Sequence, residues 1–384
     1  MAGGLAQSGR PAGAGHVTCM ARDVAFRVAT FNAGLAVGVL PYATERLPRV
    51  VEALAALDVD LLFVQEFWLD SQWQALCDVA RAKLPHAFRP APLLPPSGAV
   101  CTKEQLAPLI ACAKKHCRGL RDEALAHCVI EHCAAQGFAL PSECLNCIAS
   151  RPTGTLEEIV ARCIGAGLPA VAPAPVGPGP SRYGGLIAYG GSFGTGLLSR
   201  TPLLGADVLA YYATVNARGA VYARVEAGAL GQLSVFGTHF SPGGAEQGTQ
   251  VDELLAWIDA KGRGGSAMLL GDLNTASGSS LFRKIKRAGF REPDVLDARG
   301  TFGGGLATGH VSASGWRIDH VLVRNTAARV TSRRILDAPI TLNVAGGVRT
   351  TLSDHFGVLA VLEPSAATTP MTPDSHGPSG PTPR

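Results

Sequence analysis

Six short stretches of the chain set polar, chemically able side chains at or near the end of an apolar run. "VATFNAG" carries Asn32, "LLFVQEFW" carries Glu66 and "SVFGTHFSP" carries His239. "MLLGDLNT" carries Asp272 and Asn274, "WRIDHVLV" carries Asp319, and "LSDHFGV" carries Asp354 and His355. Each has an ordinary reading when taken alone. An Asn at a strand end forms turns, a Glu after "LLFVQ" caps the next helix, and "SDH" is a helix N-cap. Turn chemistry does not explain why so many separate strand ends present this set.

The set suits metal-assisted phosphoryl chemistry. A hard divalent cation, Mg²⁺ or Mn²⁺, takes one or two carboxylates and keeps several waters. Glu66 is the best ligand candidate, with Asn32 beside it and Asp354 completing the shell. Such a cation polarises a phosphoryl oxygen and stabilises charge in an in-line displacement. Asp272 is the natural base for the attacking water. Asn274 lies two residues on and so on the same side of an extended chain; it is expected to bind the phosphate or fix Asn32. His355 is expected to donate to a phosphoryl oxygen or act as general acid, with Asp319 holding its tautomer and raising its pKa. His239 is a second donor to the phosphate.

These residues need strands to carry them. Strand-like runs occur at 24–31, 59–67, 188–199, 220–227, 232–240, 267–273, 317–324 and 355–363, short and bounded by Gly, Asn or Asp. Helical periodicity lies between them. Thr44 is expected to cap a helix bearing Leu47, Val50, Val51, Leu54 and Leu57. Asp70 or Ser71 is expected to cap one bearing Trp73, Leu76, Ala80 and Leu84, and a third bears Val251, Leu254, Leu255 and Ile258. Many strands and few helices predict two packed sheets with helices outside.

One segment has another character. Pro-rich ends flank a helical, cysteine-dense middle, and eight of the ten cysteines fall between Cys101 and Cys163. The expected division is a disordered N-terminus (1–22), an α/β domain in two pieces (23–92 and 182–363), an insertion (93–181) and a disordered Pro/Ser/Thr tail (364–384). A helical hairpin turning near Gly119 to Asp122 would set Cys112 with Cys133 and Cys117 with Cys128 on matching rungs. Residues five apart on an α-helix point about 140° away from each other, so both bridges cannot share one stripe. The connectivity is therefore left open. A disulfide-stapled helical module is the expectation. Only Cys144-x-x-Cys147 has metal-ligand spacing.

Composition bounds the rest. The 384 residues are 47% hydrophobic and 17% charged with a net charge of +4, far from the dense Lys/Arg patterning of a dedicated nucleic-acid binder. No run reads as a transmembrane helix, because glycines break the longest uncharged ones. Clustered cysteines imply an oxidising compartment, whereas the N-terminus lacks an apolar core of signal-peptide type.

The signatures "TFNAG", "VQE", "GTHFS", "GDLNT", "RIDHVLV" and "SDHFGV", in this order, resemble the endonuclease/exonuclease/phosphatase superfamily. That family includes deoxyribonucleases, abasic-site endonucleases, sphingomyelinases and inositol-polyphosphate phosphatases. The resemblance spans 24–363 except for the insertion. It implies a four-layer α/β sandwich and a Mg²⁺-dependent phosphoesterase. It also implies Asn32 and Glu66 at the metal with Asp354 near it. It places Asp272 on the water, Asn274 and His239 on the phosphate, and Asp319 behind His355. "FGTGLLSRTPL", "NARG" and "GTHFSP" look like the corresponding stretch of sphingomyelinase-type members. Two departures stand out: Arg218 where those often carry Lys, and His320 where many relatives have Tyr. Arg218 would grip phosphate as a bidentate fork.

Three functional readings follow. The first is a phosphodiesterase of sphingomyelinase type acting as a monomer on a phospholipid, with the insertion as a lid or lipid-facing element in peripheral membrane contact. The second is a nuclease, which needs a basic surface along a nucleic-acid backbone; "RKIKR" (283–287) is the longest basic run but reads as a solvated helix face. The third is a non-enzymatic binding module, and the complete residue set argues against it.

Overall fold

The apolar runs fold as strands of two sheets in a computed structural model that describes residues 25–91, 100–164, 187–212, 215–262, 264–311, 315–344 and 346–364. The expected tails (apart from Pro364) and both expected ends of the insertion, near 93 and 181, lie outside these residues. In chain order the strands are β1 (Phe26–Asn32), β2 (Leu61–Gln65), β3 (His86–Phe88), β4 (Gly196–Ser199), β5 (Leu204–Ala210), β6 (Gly219–Glu226), β7 (Gln232–His239), β8 (Ala267–Asp272), β9 (Asp294–Val295), β10 (Asp319–Arg324), β11 (Arg329–Ile335), β12 (Ile340–Leu342), β13 (Val348–Thr350) and β14 (Gly357–Glu363). The helices are α1 (Ala43–Ala56), α2 (Asp70–Ala80), α3 (Lys103–His116), α4 (Asp122–Phe138), α5 (Ser142–Ser150), α6 (Leu156–Ile164), α7 (Gly244–Gly262) and α8 (Ser280–Arg287).

One sheet runs β3-β4-β2-β1-β14-β11-β9 and the other β10-β8-β7-β6-β5, while β12 and β13 form a separate hairpin. Both sheets are mixed: β1 and β2 pair in parallel, as do β7 and β8, whereas β1 with β14 and β8 with β10 are antiparallel. Alternate side chains of the two sheets meet in a dry central core that includes Phe63, Leu197, Val221, Leu270, Val321 and Val358. The opposite faces are covered by α1 and α2 on the first sheet and by α7 and α8 on the second. Helix, sheet, sheet, helix is the expected four-layer sandwich. The basic run "RKIKR" lies in α8, which buries Phe282 and Ile285 and turns its cations outward; Lys284 pairs with Asp252.

The sheets approach closely under the polar strand ends. At Gly271, with φ +134°, a Cβ would lie 1.9 Å from the Thr238 carbonyl oxygen and 2.9 Å from the Phe63 ring. Only glycine fits there.

Two expected caps are corrected. Tyr42, in left-handed conformation, takes the N-cap position of α1, and Thr44 lies inside the helix. The first N–H groups of α1, on Ala43 and Thr44, donate instead to the Glu123 carboxylate of α4, at 3.1 and 3.0 Å. Leu69 precedes α2, its N–H bonded to Gln72 Oε1, and Asp70 pairs with Arg89.

The cysteine-dense segment is four helices, α3 to α6, stapled by Cys101–Cys144, Cys112–Cys133, Cys117–Cys128 and Cys147–Cys163. The two rung pairs of the hairpin do both form. They avoid the single-stripe conflict because they face different apolar clusters. Cys133 packs with Leu106, Leu109 and Cys144, whereas Cys128 packs with Cys117, Leu125 and Ile159. Cys117 also lies at the C-cap of α3, past its regular turns. Cys144 and Cys147 go to different partners, so their spacing reflects disulfides and not a metal pair.

The module is locked to the sandwich. At Gly38, with φ +77°, a Cβ would meet Ala126 Cβ at 2.5 Å and the His127 backbone N at 2.8 Å, so α4 lies directly on this turn. Asn146 Oδ1 of α5 accepts the Ala188 N–H at 2.9 Å.

Candidate active site

Strand register gathers the site. In the parallel pair β1/β2, Asn32 lies opposite Gln65, so Glu66 follows beside it. In β7/β8, His239 lies opposite Asp272, and in β8/β10, Asp272 lies opposite Asp319. The antiparallel β14 starts at the end where β1 finishes, which brings His355 in. Four pairings therefore deliver side chains from 32 to 355 to one rim of the sandwich.

Asp272 is the hub. Its Oδ2 accepts Asn32 Nδ2 at 3.0 Å and lies 3.2 Å from His239 Nε2 and 3.7 Å from His355 Nε2. Its Oδ1 accepts the Asn274 backbone N–H at 2.9 Å. Asn32 Nδ2 also reaches Glu66 Oε1 at 3.1 Å, and Asn32 Oδ1 accepts the Gly34 N–H. Burial raises the Asp272 pKa, but His355, His239 and the Asn274 N–H outweigh it and hold this carboxyl well below the usual range. It is ionised at neutral pH.

His355 stands between two carboxylates. Its Nδ1 donates to Asp319 Oδ2 at 2.9 Å, while Nε2 faces Asp272. Burial opposes a charged ring, but Asp319 and Asp272 outweigh it, so the His355 pKa is raised and the ring is an imidazolium. Thr301 Oγ1 accepts the N–H groups of both Ile318 and Asp319, and the Phe302 ring lies 4.9 Å from the His355 ring.

His239 behaves oppositely. Burial and the neighbouring Arg218 lower its pKa, so it is neutral. Arg218 Nη1 lies against both ring nitrogens, 2.5 Å from Nδ1 and 2.8 Å from Nε2, and Nε2 faces Asp272. The Arg218 guanidinium lies 5.8 Å from the Trp68 ring.

Glu66 and Asn274 are held at positive φ, +60° and +47°, a conformation that costs a non-glycine residue about 1 kcal/mol or more. For Asn274 this breaks the alternation expected of an extended chain. Its Nδ2 donates to the Phe240 carbonyl at 2.9 Å and not to Asn32. Its link to the hub is the backbone N–H. Asp354 accepts Ser353 Oγ at 3.1 Å, and burial, with Glu66 nearby, raises its pKa. His320 is apart from the centre: its Nε2 bonds the Thr275 carbonyl, and burial pushes its pKa down to about 4.

Two oxygen-rich groupings could take a cation. The first is Glu66 and Asp354, near enough for Glu66 to raise the Asp354 pKa, with Asn32 presenting Nδ2 to Glu66 and Asp272 and its Oδ1 to the Gly34 N–H. Asp272, Asp319 and His355 also bring one ligand atom each within 4.8 Å of one another. The second grouping is the poorer fit, because an imidazolium proton already lies on the Asp319 contact and a protonated nitrogen cannot ligate.

Sequence patterning did not single out Thr301 or Arg46. Thr301, in "ARGTFGG", has no local signal. Arg46 has one: it shares a helical stripe with Val50 and Leu54. It is fully buried and donates to the carbonyls of Pro41, Ala33, Gly34 and Leu352, bracing the segments that carry Asn32 and Asp354.

Residues 29–355 match the family described as Endonuclease/Exonuclease/phosphatase family. The chain belongs to that family. Its fold is shared with sphingomyelinase C from Streptomyces griseocarneus at 16% identity and TM-score 0.53, covering 88% of this chain and 99% of that one. Beta toxin from Staphylococcus aureus with bound magnesium ions has 10% identity and TM-score 0.51, covering 89% and 100%. The mannosyl-6-phosphatase from Bacteroides thetaiotaomicron has 14% identity and TM-score 0.51, covering 88% and 99%. No curated protein compared with the chain matches it. As a member of the endonuclease/exonuclease/phosphatase family, the chain carries its polar residues on the rim of that family's sandwich.

Proposed function

We propose that the chain is a Mg²⁺-dependent phosphodiesterase that hydrolyses a phosphate ester by in-line attack of water, with a phospholipid of sphingomyelin type as substrate. The observation that carries this reading is the convergence of Asn32 Nδ2, His239 Nε2 and His355 Nε2 on Asp272 Oδ2, with Glu66 one contact away.

Glu66, Asn32 and Asp354 would hold the cation. When bound, Mg²⁺ supplies polarisation of a phosphoryl oxygen and charge stabilisation. Asp272 orients the attacking water and accepts its proton. The Asn274 N–H and His239 Nε2–H fix the Asp272 carboxylate for that task. As the P–O bond to the leaving alcohol breaks, His355 gives its Nε2 proton to the departing oxygen, and Asp319 keeps the other ring nitrogen protonated. Arg218 holds His239 neutral and adds positive charge on the phosphate side. The phospholipid choice is supported by the "FGTGLLSRTPL" to "GTHFSP" stretch and by a structural neighbour that is a sphingomyelinase, and the choice of metal by a neighbouring toxin that holds magnesium. Peripheral contact of α3 to α6 with a membrane belongs to the same reading.

The test is hydrolysis of sphingomyelin in mixed micelles and of plasmid DNA, each with Mg²⁺ and with EDTA. Mg²⁺-dependent release of phosphocholine is expected. Cleavage of DNA alone would make the chain a nuclease. Turnover of neither, or turnover unaffected by EDTA, would overturn the reading.

A further inference from the structure

The disulfide module contains a cavity of about 320 Å³ that the chemistry above does not use. Leu109, Val129, Phe138 and Ile148 line it from α3, α4 and α5, and Ile187 and Tyr189 close it from the sandwich. No charged side chain lines it among the described residues. The one polar atom at hand, the Tyr189 hydroxyl, donates to the Val37 carbonyl. The size is that of a small-molecule site, and a wholly apolar lining offers water no partners.

We infer that this cavity takes one hydrocarbon chain of an amphiphilic phosphodiester. A peptide would bring backbone N–H and C=O groups that the lining cannot satisfy, at a cost of several kcal/mol each. A hydrocarbon chain brings none. The cavity also opens outward: Phe138, Val39 and Ile130 on its border are 62%, 54% and 47% exposed, an apolar rim that needs a partner. Packed side chains also link its wall to the catalytic rim. Tyr189 meets Trp68 edge-on at 5.7 Å, Trp68 carries the Arg218 guanidinium, and Arg218 bonds His239 beside Asp272. A chain seated in the cavity leaves its head group at the exposed border, where Val39 adjoins Leu40 and the Gly34 turn that packs on Asp354. The four disulfides hold the helices around the space open without filling it.

This inference rests on the phosphodiesterase reading for its choice of head group, but its test does not require turnover. The intact chain in EDTA is titrated with cis-parinaric acid, a hydrocarbon probe whose fluorescence rises in an apolar site. Saturable enhancement is expected, reversed by dodecylphosphocholine below its micelle concentration and not by phosphocholine. Ala149→Phe or Ala134→Phe, which fill the cavity from α5 and α4, should weaken probe binding by about tenfold or more. Ala135→Phe, on the exposed side of α4, should not. Helical circular dichroism and thiol counts show whether each variant keeps its fold. No enhancement in the wild type, the result expected if the chain's own residues 165–186 occupy the space, overturns the inference. So does equal binding by the folded filling variants, or displacement by phosphocholine. Failure of Mg²⁺-dependent hydrolysis would overturn the phosphodiesterase reading and leave probe binding to judge the cavity.

Discussion

At the scale of single residues, the hub arrangement assigns different jobs to similar groups. Asp272 is held ionised at the centre of the cluster, so Asp272→Asn should lower kcat by about 10²–10⁴ while the melting temperature stays near wild type. A kcat within about tenfold of wild type would contradict its role as base. Asp319 acts through His355. Removing it as Asp319→Asn takes away the largest influence that raises the His355 pKa and leaves burial opposed by Asp272 and Asp354 alone, so that pKa falls. Activity that needs imidazolium is present below that pKa and lost above it. The alkaline limb of the pH–rate profile should therefore move to lower pH, and an unmoved limb would contradict the assignment. The residues that the strands gather at the rim were legible because each stands at or near the end of an apolar run. What was not legible is orientation. Asn274 was expected to project with Asp272, but its left-handed backbone turns the amide to Phe240 and leaves the N–H to serve the carboxylate. Arg46 announced itself only as a charge on an apolar stripe, and Thr301 not at all.

At the scale of elements, the strands that carry the site read clearly, being apolar and bounded by turn residues. The strands missed are mainly short or at the edges. β3 and β9 have three and two residues, β5 has no buried residue, and β11 ("RVTSRRI") carries three arginines with Thr and Ser, which hide its few apolar positions. The helix caps were misplaced for a non-local reason: α1 is capped by Glu123, about eighty positions away, which no local pattern reveals. Glu123→Ala should cost about 1 kcal/mol, the usual worth of a cap, read as a lower denaturation midpoint. An unchanged midpoint would mean the carboxylate contributes nothing beyond solvent. The cysteine pairs were half legible. Spacing suggested both rungs of the α3/α4 hairpin, but an ideal-helix argument obscured them, because Cys117 sits at a helix end where the 100° step no longer holds.

At the scale of the whole molecule, two structures of different origin of stability share one chain. The sandwich is held by a dry intersheet core, and the helical module by bridges that join α3 to α6. In the denatured, unreduced chain Cys77 should react with thiol reagents and no cysteine from 101 to 163 should; a reactive thiol in that segment would contradict the connectivity. The four-layer architecture was legible from strand number and helix periodicity. The seat of the module on Gly38 and α1 was not, since it depends on contacts between distant segments. The central claim is that converging strand ends make a metal-dependent phosphoesterase. Its most direct test is hydrolysis of bis(4-nitrophenyl) phosphate by the wild type and Glu66→Gln as Mg²⁺ is titrated into EDTA-treated protein. The account predicts no turnover without metal, saturable activation in the wild type and a strongly weakened metal response in the variant. Turnover in EDTA, or identical activation curves, would contradict it.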